Sequence, residues 1–375
     1  MNFLIVTFDF FPTVGGIQTR GKNYVQNLVH MKNKVTVIHL LTPEVLQTFF
    51  GSSTHFAEKN FGASIYRYPS SVKNTLKIFF KTIKFISNNH IDVIHVFSGA
   101  NTPIGLLFLL YGKVKGIKTG VSFYGKDILD SQHVFTLFWR LAVFLADKIG
   151  VNSKATSRLI PKWVRHKVTI LYPGVDVQVL REFKNRIVVD KKEKRVLFVG
   201  RLIWRKSVHD LLQAFSRVLE KVPESKLIVV GDGPQREALF NLAQKLEIQD
   251  KVEFTGTLVG KELWEKYREC DVFVMPSKET RTDMEGFGMV FLEAGLFKKP
   301  SIGTWAGGIP EAVLHGETGI LIPQGDIVAL EKAMEQLLTN EDLAKKLGQN
   351  AYDRVISKFS WEKATLKFLR MHQMS

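Results

Sequence analysis

The chain has 375 residues, of which 45% are hydrophobic and 23% are charged. This composition excludes a disordered protein, and the length fits two domains of ordinary size. The net charge of +16 favours an anionic partner, which leaves nucleotides, nucleic acids and acidic membrane surfaces as classes. The sequence has neither the spacing of zinc ligands nor the aromatic pair of proteins that bind single-stranded nucleic acids. We therefore expect no nucleic-acid partner.

The single cysteine, Cys270, excludes an internal disulfide and favours a reducing compartment. Because it precedes an apolar run, we expect it to be a small buried residue. The N-terminus passes from Met1 directly into an apolar strand-like run without signal-peptide features, which favours a cytoplasmic protein. Apolar runs such as 104–111 and 134–146 are shorter than the roughly 20 residues of a membrane-spanning helix, so no such segment is expected.

Short β-branched runs alternate with amphipathic stretches through the first part of the chain. The alternation predicts parallel βαβ units with right-handed crossovers, hence an α/β fold. The predicted strands are Phe3 to Thr7, Lys34 to Leu40, Ser64 to Tyr68, Asp92 to Phe97, Thr119 to Phe123, Lys148 to Val151 and Val168 to Leu171. We expect them to form one doubly wound sheet in a first domain over residues 1–180.

A charged segment at 190–195 then interrupts the pattern and is interpreted as a surface linker. A second domain of the same class is expected over 181–359. Its predicted strands are Val196 to Val199, Lys226 to Val230, Val252 to Phe254, Asp271 to Met275, Pro300 to Gly303 and Gly319 to Ile322. The last helix, Trp361 to Met371, lies within 360–375 and is expected to pack back on the first domain.

The strongest chemical signal is the segment 285–293, which reads Glu-Gly-Phe-Gly-Met-Val-Phe-Leu-Glu. Gly286 and Gly288 leave the backbone bare at a helix start, so unpaired N–H groups and the positive end of the helix dipole can face an anion. If the helix begins near Gly288, Glu293 lies on an inner turn and Glu285 in the preceding loop. The two carboxylates would then contact different parts of one extended ligand.

Three further loops follow predicted strands, at the edge where parallel sheets bind ligands. They are the Gly-Arg loop 200–206 with three cations, the Gly-Asp-Gly-Pro loop 231–234 and the Gly-Gly-Ile-Pro-Glu loop 307–311. A core helix with a solvated acid at each end is the alternative explanation of the glutamate pair. The neighbouring loops argue against that alternative.

In this order and spacing, the motifs resemble those of the family 4 retaining glycosyltransferases. The resemblance covers nearly the whole chain and includes the glycine loop 12–16 and the Leu-Tyr-Pro-Gly-Val-Asp segment 171–176. It implies the GT-B fold, two Rossmann-like domains facing across a cleft. It also implies a hexosyltransferase of glycolipid or polysaccharide biosynthesis that takes a GDP- or UDP-linked sugar as substrate and needs no cofactor.

The resemblance implies roles for individual residues. Arg201 and Lys206 would bind the donor diphosphate, Glu285 would contact the transferred sugar, and Glu293 would bind the ribose hydroxyls. The implied catalytic residues are Glu285, Arg201, Lys206 and Tyr124. The implied donor-binding residues are Gly15, Gly16, Gly200, Arg201, Lys206, Gly231, Asp232, Gly233, Glu285, Gly286, Phe287, Gly288, Met289, Val290 and Glu293. Gly16 would close over the phosphates from the opposite domain, and Arg205 is interpreted as a solvated neighbour.

The sequence has no Asp-x-Asp pair after a strand, so we expect no metal at the site. Arg201, Lys206 and the helix N-terminus can supply positive charge for the departing diphosphate. The family is usually ascribed front-face attack, which needs no enzyme nucleophile, so Glu285 is expected to orient the sugar.

On the acceptor side the sequence departs from the family pattern. Tyr124 stands where many members have histidine; it can still hydrogen-bond a sugar, and its catalytic role is left open. A His-x-His motif is broken at 95–97, and His95 is either a remnant of it or a histidine hydrogen-bonded at a strand end.

A basic amphipathic helix is predicted over 73–87, in the half that would bind the acceptor. Its lysines Lys73, Lys77, Lys81 and Lys84 can contact an anionic membrane surface, and a soluble helix packed on the sheet is the alternative. A membrane position would make the enzyme peripheral on the inner face, with a glycan or lipid-linked acceptor. Residues 281–284 most resemble the branch that transfers mannose from GDP-mannose to phosphatidylinositol or similar glycolipids.

Two other functions share this architecture. A non-hydrolysing sugar-nucleotide epimerase would need acid and base groups in place of an acceptor site. A non-catalytic scaffold that binds nucleotide sugars or membranes would retain the fold without the chemistry. The intact Arg201, Lys206, Glu285 and Glu293 favour transfer over both.

Overall fold

The structure is a computed structural model that describes residues 1–13, 15–51, 56–70, 75–87, 89–100, 102–129, 136–183 and 193–374. The chain divides into two compact units. The first comprises residues 1–173 together with 361–375, and the second comprises 174–360.

The described part of the first unit contains an eight-stranded sheet in the order β3-β4-β2-β1-β5-β6-β7-β8. The strands are β1 Asn2–Thr7, β2 Lys34–Leu41, β3 Phe56–Asn60, β4 Ala63–Pro69, β5 Val93–Val96, β6 Lys118–Phe123, β7 Lys148–Val151 and β8 Val168–Ile170. The neighbouring pairs are parallel except β3 with β4. Strand β3 was not predicted, because its short sequence Phe-Ala-Glu-Lys-Asn has little of the β-branched character by which the other strands were recognised.

Helices of the first unit connect these strands. They are α1 Gly16–His30, α2 Pro43–Phe50, α3 Thr75–Ser87, α4 Pro103–Lys115, α5 Thr136–Leu145 and α6 Lys154–Leu159, with a 3-10 helix at Lys162–Lys167. Strands β1, β5 and β7 have buried residues on both faces, as expected for a parallel sheet covered on both sides.

The described part of the second unit contains a six-stranded parallel sheet in the order β11-β10-β9-β12-β13-β14. The strands are β9 Lys194–Val199, β10 Ser225–Val230, β11 Val252–Gly256, β12 Val272–Val274, β13 Ser301–Thr304 and β14 Gly319–Ile322. The helices are α7 Val179–Phe183, α8 Val208–Lys221, α9 Arg236–Lys245, α10 Gly260–Glu269, α11 Met289–Leu296, α12 Ile309–Ala312, α13 Ile327–Thr339 and α14 Glu341–Lys358. Two 3-10 turns lie at Trp204–Lys206 and Gln249–Lys251.

The predicted surface linker 190–195 is wrong at its end. Lys194 and Arg195 begin β9, and Arg195 is held there because its backbone N–H donates to Asp271 and its guanidinium pairs with Glu193 and Glu269. Residues 190–192 lie outside the described part of the chain. The charged residues Lys194 and Arg195 are therefore the start of a strand, and their side chains are only half-buried.

The chain passes from the first unit to the second after Pro173, which is before residue 180. The backbone N–H of Val175 donates to the carbonyl of Phe359 at 2.8 Å, and Val175 pairs with Ser360 in a parallel bridge. These contacts join residues after Pro173 to the second unit. Cys270 is fully buried in the same unit, as expected.

The last helix, α15 Trp361–Gln373, belongs to the first unit. Phe368 of this helix is fully buried and stacks on Phe97 with ring centroids 5.6 Å apart. Tyr24 of α1 packs against Phe368 and Trp361. These aromatic contacts bury apolar surface and help to hold α15 against the sheet and α1.

Candidate functional site

Loops carrying the predicted site residues leave the carboxyl ends of adjacent strands in the second unit. Strands β10, β9, β12 and β13 are neighbours in that order, so the loops after them share one edge of the sheet. This edge is where open parallel sheets bind ligands. The residues brought together there were separated in the sequence by as many as a hundred positions.

Glu285 is the centre of a buried ion-pair cluster on this edge. Its Oε2 lies 2.5 Å from Lys206 Nζ and 3.1 Å from Arg205 Nη1. Arg205 Nε lies 3.0 Å from Asp283 Oδ2. The side chains of Lys206, Arg205 and Glu285 are only 12 to 15% exposed. Two cations therefore converge on one carboxylate oxygen.

The charges in this cluster determine its protonation. Burial by itself would raise the pKa of Glu285, but Lys206 and Arg205 outweigh it and lower the pKa to about 2. Burial and the neighbouring Arg205 lower the pKa of Lys206, and Glu285 opposes that shift. Glu285 is ionised at neutral pH, and its favourable interaction with the two cations is what compensates its loss of hydration.

The interpretation of Arg205 as a solvated neighbour is wrong. Arg205 is nearly buried because Asp283 and Glu285 neutralise it from two directions. Neither this role nor the role of Asp283 was predicted. One signal in the sequence could have indicated it, a third cation in the Gly-Arg loop, but nothing in the spacing shows that residues 205 and 283 meet.

A second glycine loop fixes the backbone that carries Glu285. The backbone N–H of Gly308 donates to the Glu285 carbonyl at 2.8 Å. A Cβ atom at Gly308 would overlap the carbonyl oxygen of Gly286, so only glycine permits this approach. Thr280 Oγ1 donates to the Asp283 carbonyl, which closes the other side of the loop.

Helix α11 begins at Met289, directly after this loop, as predicted from the sequence. Gly288 precedes it with a left-handed φ of 87°, and no side chain caps the helix. The first N–H groups are therefore available to an anion, and the helix dipole favours one. The Phe287 side chain is buried against Phe359, so only the backbone of Phe287 can contact a ligand here.

Glu293 lies on the inner turns of α11, where the sequence predicted it. Tyr267 Oη donates a hydrogen bond of 2.7 Å to Glu293 Oε2. Burial raises the pKa of Glu293, and this hydrogen bond opposes the rise. Glu293 Oε1 has no hydrogen bond with any described residue, which leaves an acceptor atom for a hydroxyl group.

The loops after β9 and β10 interlock. Gly200 N–H donates to the Val230 carbonyl, and Leu202 N–H donates to the Asp232 carbonyl. Gly231 adopts a φ of 135°, and a Cβ there would overlap the Gly200 carbonyl oxygen. The Asp232 carboxylate accepts from Gly233 N–H at 2.7 Å. These bonds fix the backbone on either side of Arg201.

Arg201 differs from the other two cations of its loop. Its side chain is exposed, and its guanidinium makes no hydrogen bond or ion pair with any other described residue. A guanidinium in this state has all its donors available for a phosphate.

The remaining predicted residues belong to the first unit. Gly15 precedes α1 and Gly16 begins it, with no side-chain cap on the helix. Tyr124 is buried beneath Arg20, whose guanidinium lies 5.2 Å from the ring centroid. The Tyr124 hydroxyl makes no well-formed hydrogen bond among the described residues. Burial raises the pKa of Tyr124, so the hydroxyl keeps its proton at neutral pH.

His95 is hydrogen-bonded inside the sheet, which confirms the structural alternative for this residue. Its Nδ1 lies 3.0 Å from His372 Nε2 of α15, and its Nε2 lies 2.9 Å from Ser122 Oγ. Burial lowers the pKa of His95 well below its ordinary value and that of His372 to about 3. Both rings are neutral at pH 7.

Helix α3 carries the predicted basic residues. Lys77, Lys81 and Lys84 are on its described turns, whereas Lys73 lies outside the described residues. Leu76 and Phe80 are 58% and 63% exposed, while other apolar side chains of α3 pack on the sheet. Within the described ranges, no helix combines the length and the apolarity that a membrane crossing needs, and no three His, Cys, Asp or Glu side chains cluster as metal ligands.

Both parts of the chain match known families. Residues 14–179 match the model described as glycosyltransferase family 4, and residues 180–354 match that described as glycosyl transferases group 1. The chain is 28% identical to a GDP-mannose-dependent alpha-(1-6)-phosphatidylinositol monomannoside mannosyltransferase of Mycobacterium tuberculosis, over 98% of this chain and 97% of the relative.

Two solved structures show the same fold over their whole length. Sucrose-phosphate synthase from Thermosynechococcus elongatus is 20% identical, with a TM-score of 0.77 and coverage of 99% of this chain and 98% of that one. The Anabaena protein HepE in complex with UDP-glucose is 18% identical, with a TM-score of 0.75 and full coverage of both chains. The fold is GT-B, and with its two family matches the chain belongs to the family 4 glycosyltransferases.

Proposed function

We propose that this glycosyltransferase moves a hexose from a GDP- or UDP-linked donor to a glycan or glycolipid acceptor, with retention of configuration and without a metal ion. The observation that carries the proposal is the convergence of Lys206 and Arg205 on Glu285, beside the uncapped start of α11. A pyrophosphate is the part of a nucleotide sugar that this charge pattern fits.

The leaving group is the nucleoside diphosphate, which gains negative charge as the sugar bond breaks. Arg201 and Lys206 would bind its phosphate oxygens, and the amides of Met289 and Val290 would add the helix dipole. Such preorganised donors can lower the barrier by several kcal/mol, because they need no reorganisation during the reaction. In this proposal Lys206 exchanges part of its bond with Glu285 for a phosphate oxygen.

Glu285 would orient the transferred sugar. One of its oxygens is occupied by two cations, and its low pKa keeps it ionised. A carboxylate so neutralised is a weak nucleophile and a good hydrogen-bond acceptor for sugar hydroxyls. The acceptor hydroxyl would attack the anomeric carbon on the face from which the diphosphate departs. The sugar–phosphate bond would break as the glycosidic bond forms, and the hydroxyl proton would pass to a departing phosphate oxygen, which gives retention without a covalent intermediate.

The donor can be identified by ligand-induced thermal stabilisation. A screen of GDP-mannose, UDP-glucose, UDP-N-acetylglucosamine and ADP-glucose is expected to single out a GDP or UDP sugar, because a ligand bound only to the native state raises Tm. GDP-mannose is the donor named for the mycobacterial relative, and UDP-glucose is bound in the HepE structure. Stabilisation by none of the four would contradict the proposed donor class.

The reaction is tested by incubating the enzyme with the selected donor and phosphatidylinositol, a phosphatidylinositol mannoside or an oligosaccharide, each with and without EDTA. Glycosylated product with the donor's anomeric configuration, formed equally in EDTA, is expected. Inverted product would refute retention, and loss of activity that Mg²⁺ restores would refute metal independence. Conversion of the donor to another sugar nucleotide without acceptor would indicate an epimerase instead.

We further propose a cytoplasmic enzyme that binds the inner face of the membrane through α3. Leu76 and Phe80 are exposed on the same helix as Lys77, Lys81 and Lys84, and cations near an anionic bilayer contribute about 1 kcal/mol each. Sedimentation with vesicles of phosphatidylglycerol, and of phosphatidylcholine as control, tests this position. Lys77→Glu/Lys81→Glu is expected to abolish the preference for phosphatidylglycerol, whereas Lys332→Glu/Lys346→Glu, two exposed lysines of the second unit, should retain it.

A further inference from the structure

A groove of about 480 Å³ lies in the first unit, and none of its lining residues is assigned to the donor. One wall is Thr169 of β8, which is the last strand of the eight-stranded sheet. The other wall is formed by one face of α15. Its lining residues are Thr169, Lys363, Leu366, Lys367, Arg370, Met371 and Met374. A volume of this size is within the roughly 300 to 1,000 Å³ of small-molecule sites.

Helix α15 has two faces of different composition. Trp361, Phe368 and His372 are buried against the sheet and α1. The residues of the groove, at 363, 366, 367, 370, 371 and 374, follow one another at helical spacing along another face. Leu366 is 39% exposed and Met374 is 67% exposed on this face. Met371 is only 2% exposed and belongs to the packed interior, so the exposed apolar surface of this face comes from Leu366 and Met374.

Among the described residues that line the groove, the charged ones are all basic. Lys363, Lys367 and Arg370 belong to its lining. Lys118 and Lys148 are close enough to lower the pKa of His372 on the same helix. Asp147 acts on His372 in the opposite direction, and its carboxylate is bonded to Lys113 and Thr119.

The chemistry of the groove fits an anionic amphiphile. Lysine and arginine place aliphatic stems against apolar surface and keep their charges at the rim. Leu366, Met371 and Met374 would form the apolar floor, and methionine adapts its shape to flexible chains. A phosphate at the rim and an acyl chain along the floor would satisfy both parts of the lining. A free phosphate would leave the apolar part exposed.

We infer that this groove binds one molecule of an anionic phospholipid, with its phosphate on Lys367 and Arg370 and its acyl chain on Leu366, Met371 and Met374. The inference does not depend on the proposed reaction, because no donor-binding residue lines the groove. It also differs from adsorption through α3, since a site of this size is saturated by monomeric lipid and needs no bilayer.

The test uses dihexanoyl phosphatidylglycerol below its critical micelle concentration, titrated into the full chain by calorimetry. Saturable binding of one molecule per chain is expected. Lys367→Glu/Arg370→Glu should weaken it at least about tenfold, because two charge-assisted contacts are lost. Lys332→Glu/Lys346→Glu changes the net charge equally on exposed positions of the second unit and should bind as the unaltered protein does. Unaltered binding by the groove variant would overturn the inference.

Two further ligands separate the headgroup from the chain. Glycerol 3-phosphate supplies only the phosphate, and dihexanoyl phosphatidylcholine supplies the chains with a zwitterionic headgroup. Both should bind at least about tenfold more weakly than the phosphatidylglycerol. Equal binding of glycerol 3-phosphate would indicate a phosphate site only, and equal binding of phosphatidylcholine would indicate an apolar surface only; either result contradicts the inference.

The position of the ligand is checked by NMR of methionine methyl groups. Dihexanoyl phosphatidylglycerol should shift the signals of Met371 and Met374, assigned with Met371→Leu and Met374→Leu, and leave those of Met275 and Met284 unchanged. Shifts confined to other methionines would overturn the placement. Donor-induced thermal stabilisation of Lys367→Glu/Arg370→Glu shows whether the variant is folded, so a failed lipid site is distinguishable from a failed transferase.

Discussion

The two units each enclose a cluster of polar side chains, and the two clusters differ in charge. In the first unit, His95, His372 and Ser122 are at most 2% exposed and bond to one another as neutral groups. In the second unit, the side chains of Lys206 and Glu285 are 12 and 15% exposed and form an ion pair. The first cluster joins α15 to the sheet, and the second lies at the edge where the loops carry the donor-site residues.

The difference shows that the degree of burial decides whether a cluster of polar groups stabilises the fold or can bind a ligand. The fully buried histidines are neutral, because removal from water disfavours the charged form of the ring. The neutral rings still form hydrogen bonds. Partial burial retains charge when opposite charges are close, and those charges can be redirected to a ligand. Changes in the charged cluster should therefore affect transfer, and changes in the neutral cluster should affect stability.

The largest expected effect comes from removing the charges at the donor site. Lys206→Ala and Glu285→Ala should each lower kcat/KM about 100- to 1,000-fold, because each removes a preorganised group at the developing charge or at the sugar. Steady-state assays with the identified donor measure this. Lys221→Ala, which removes an exposed ion pair with Glu335, is the control and should keep full activity. Full activity in both site variants would refute the assignment.

Breaking the neutral cluster should destabilise the first unit and leave the donor site intact. His372→Ala leaves His95 Nδ1 without its partner, and an unsatisfied buried polar group costs about 1 to 3 kcal/mol. Thermal unfolding is expected to show this loss, while the thermal stabilisation by donor is retained. Gln373→Ala, at an exposed neighbour, should change neither quantity. A loss of donor binding in His372→Ala would contradict the separate roles assigned to the two clusters.

Arg205 tests whether the charged cluster works as a unit. Arg205→Ala should lower kcat/KM about tenfold, since Glu285 loses one of its two cations. It should also raise the pKa of Glu285 and move the acidic limb of the pH profile upward. Arg205→Lys should recover little, because one ammonium cannot reproduce the guanidinium contacts to Asp283 and Glu285. An unchanged pH profile would make Arg205 a structural residue only.

The smallest effect is a difference in acid sensitivity between the clusters. His372 has a folded pKa of about 3 below its ordinary 6.5, so the unfolded state binds the proton first and stability falls as pH decreases from 6.5. Glu285 has a folded pKa of about 2 below its ordinary 4.5, so its contribution is complete above pH 4.5 and is lost towards pH 2.

As the pH falls from 6.5 to 5.5, the free energy of unfolding should therefore decrease by about 1 kcal/mol for each of His95 and His372. Urea unfolding at these pH values should show a smaller loss in His95→Gln/His372→Gln, and an unchanged loss in Glu285→Gln. Equal losses in all three proteins would show that other groups control acid unfolding.

The alternation of apolar runs was sufficient to predict the parallel strands of both sheets, because side chains buried on both faces of a strand leave a local pattern. Strand β3 was missed since its charged residues suit an edge position, which only pairing with β4 creates. The start of α11 was predicted because Gly286 and Gly288 mark a helix start locally. Each of these features can be read within a few neighbouring residues.

The tertiary structure alone decided which charges meet. Arg205 and Asp283 lie far apart in the chain, and their ion pair exists because β9 and β12 are neighbours in the sheet. His95 and His372 pair for the same reason, since α15 returns to the first unit. The sequence determines which residues can be charged or buried. The folded chain determines which charged groups lie close together, and the Coulomb energy of a pair depends on the distance between its charges.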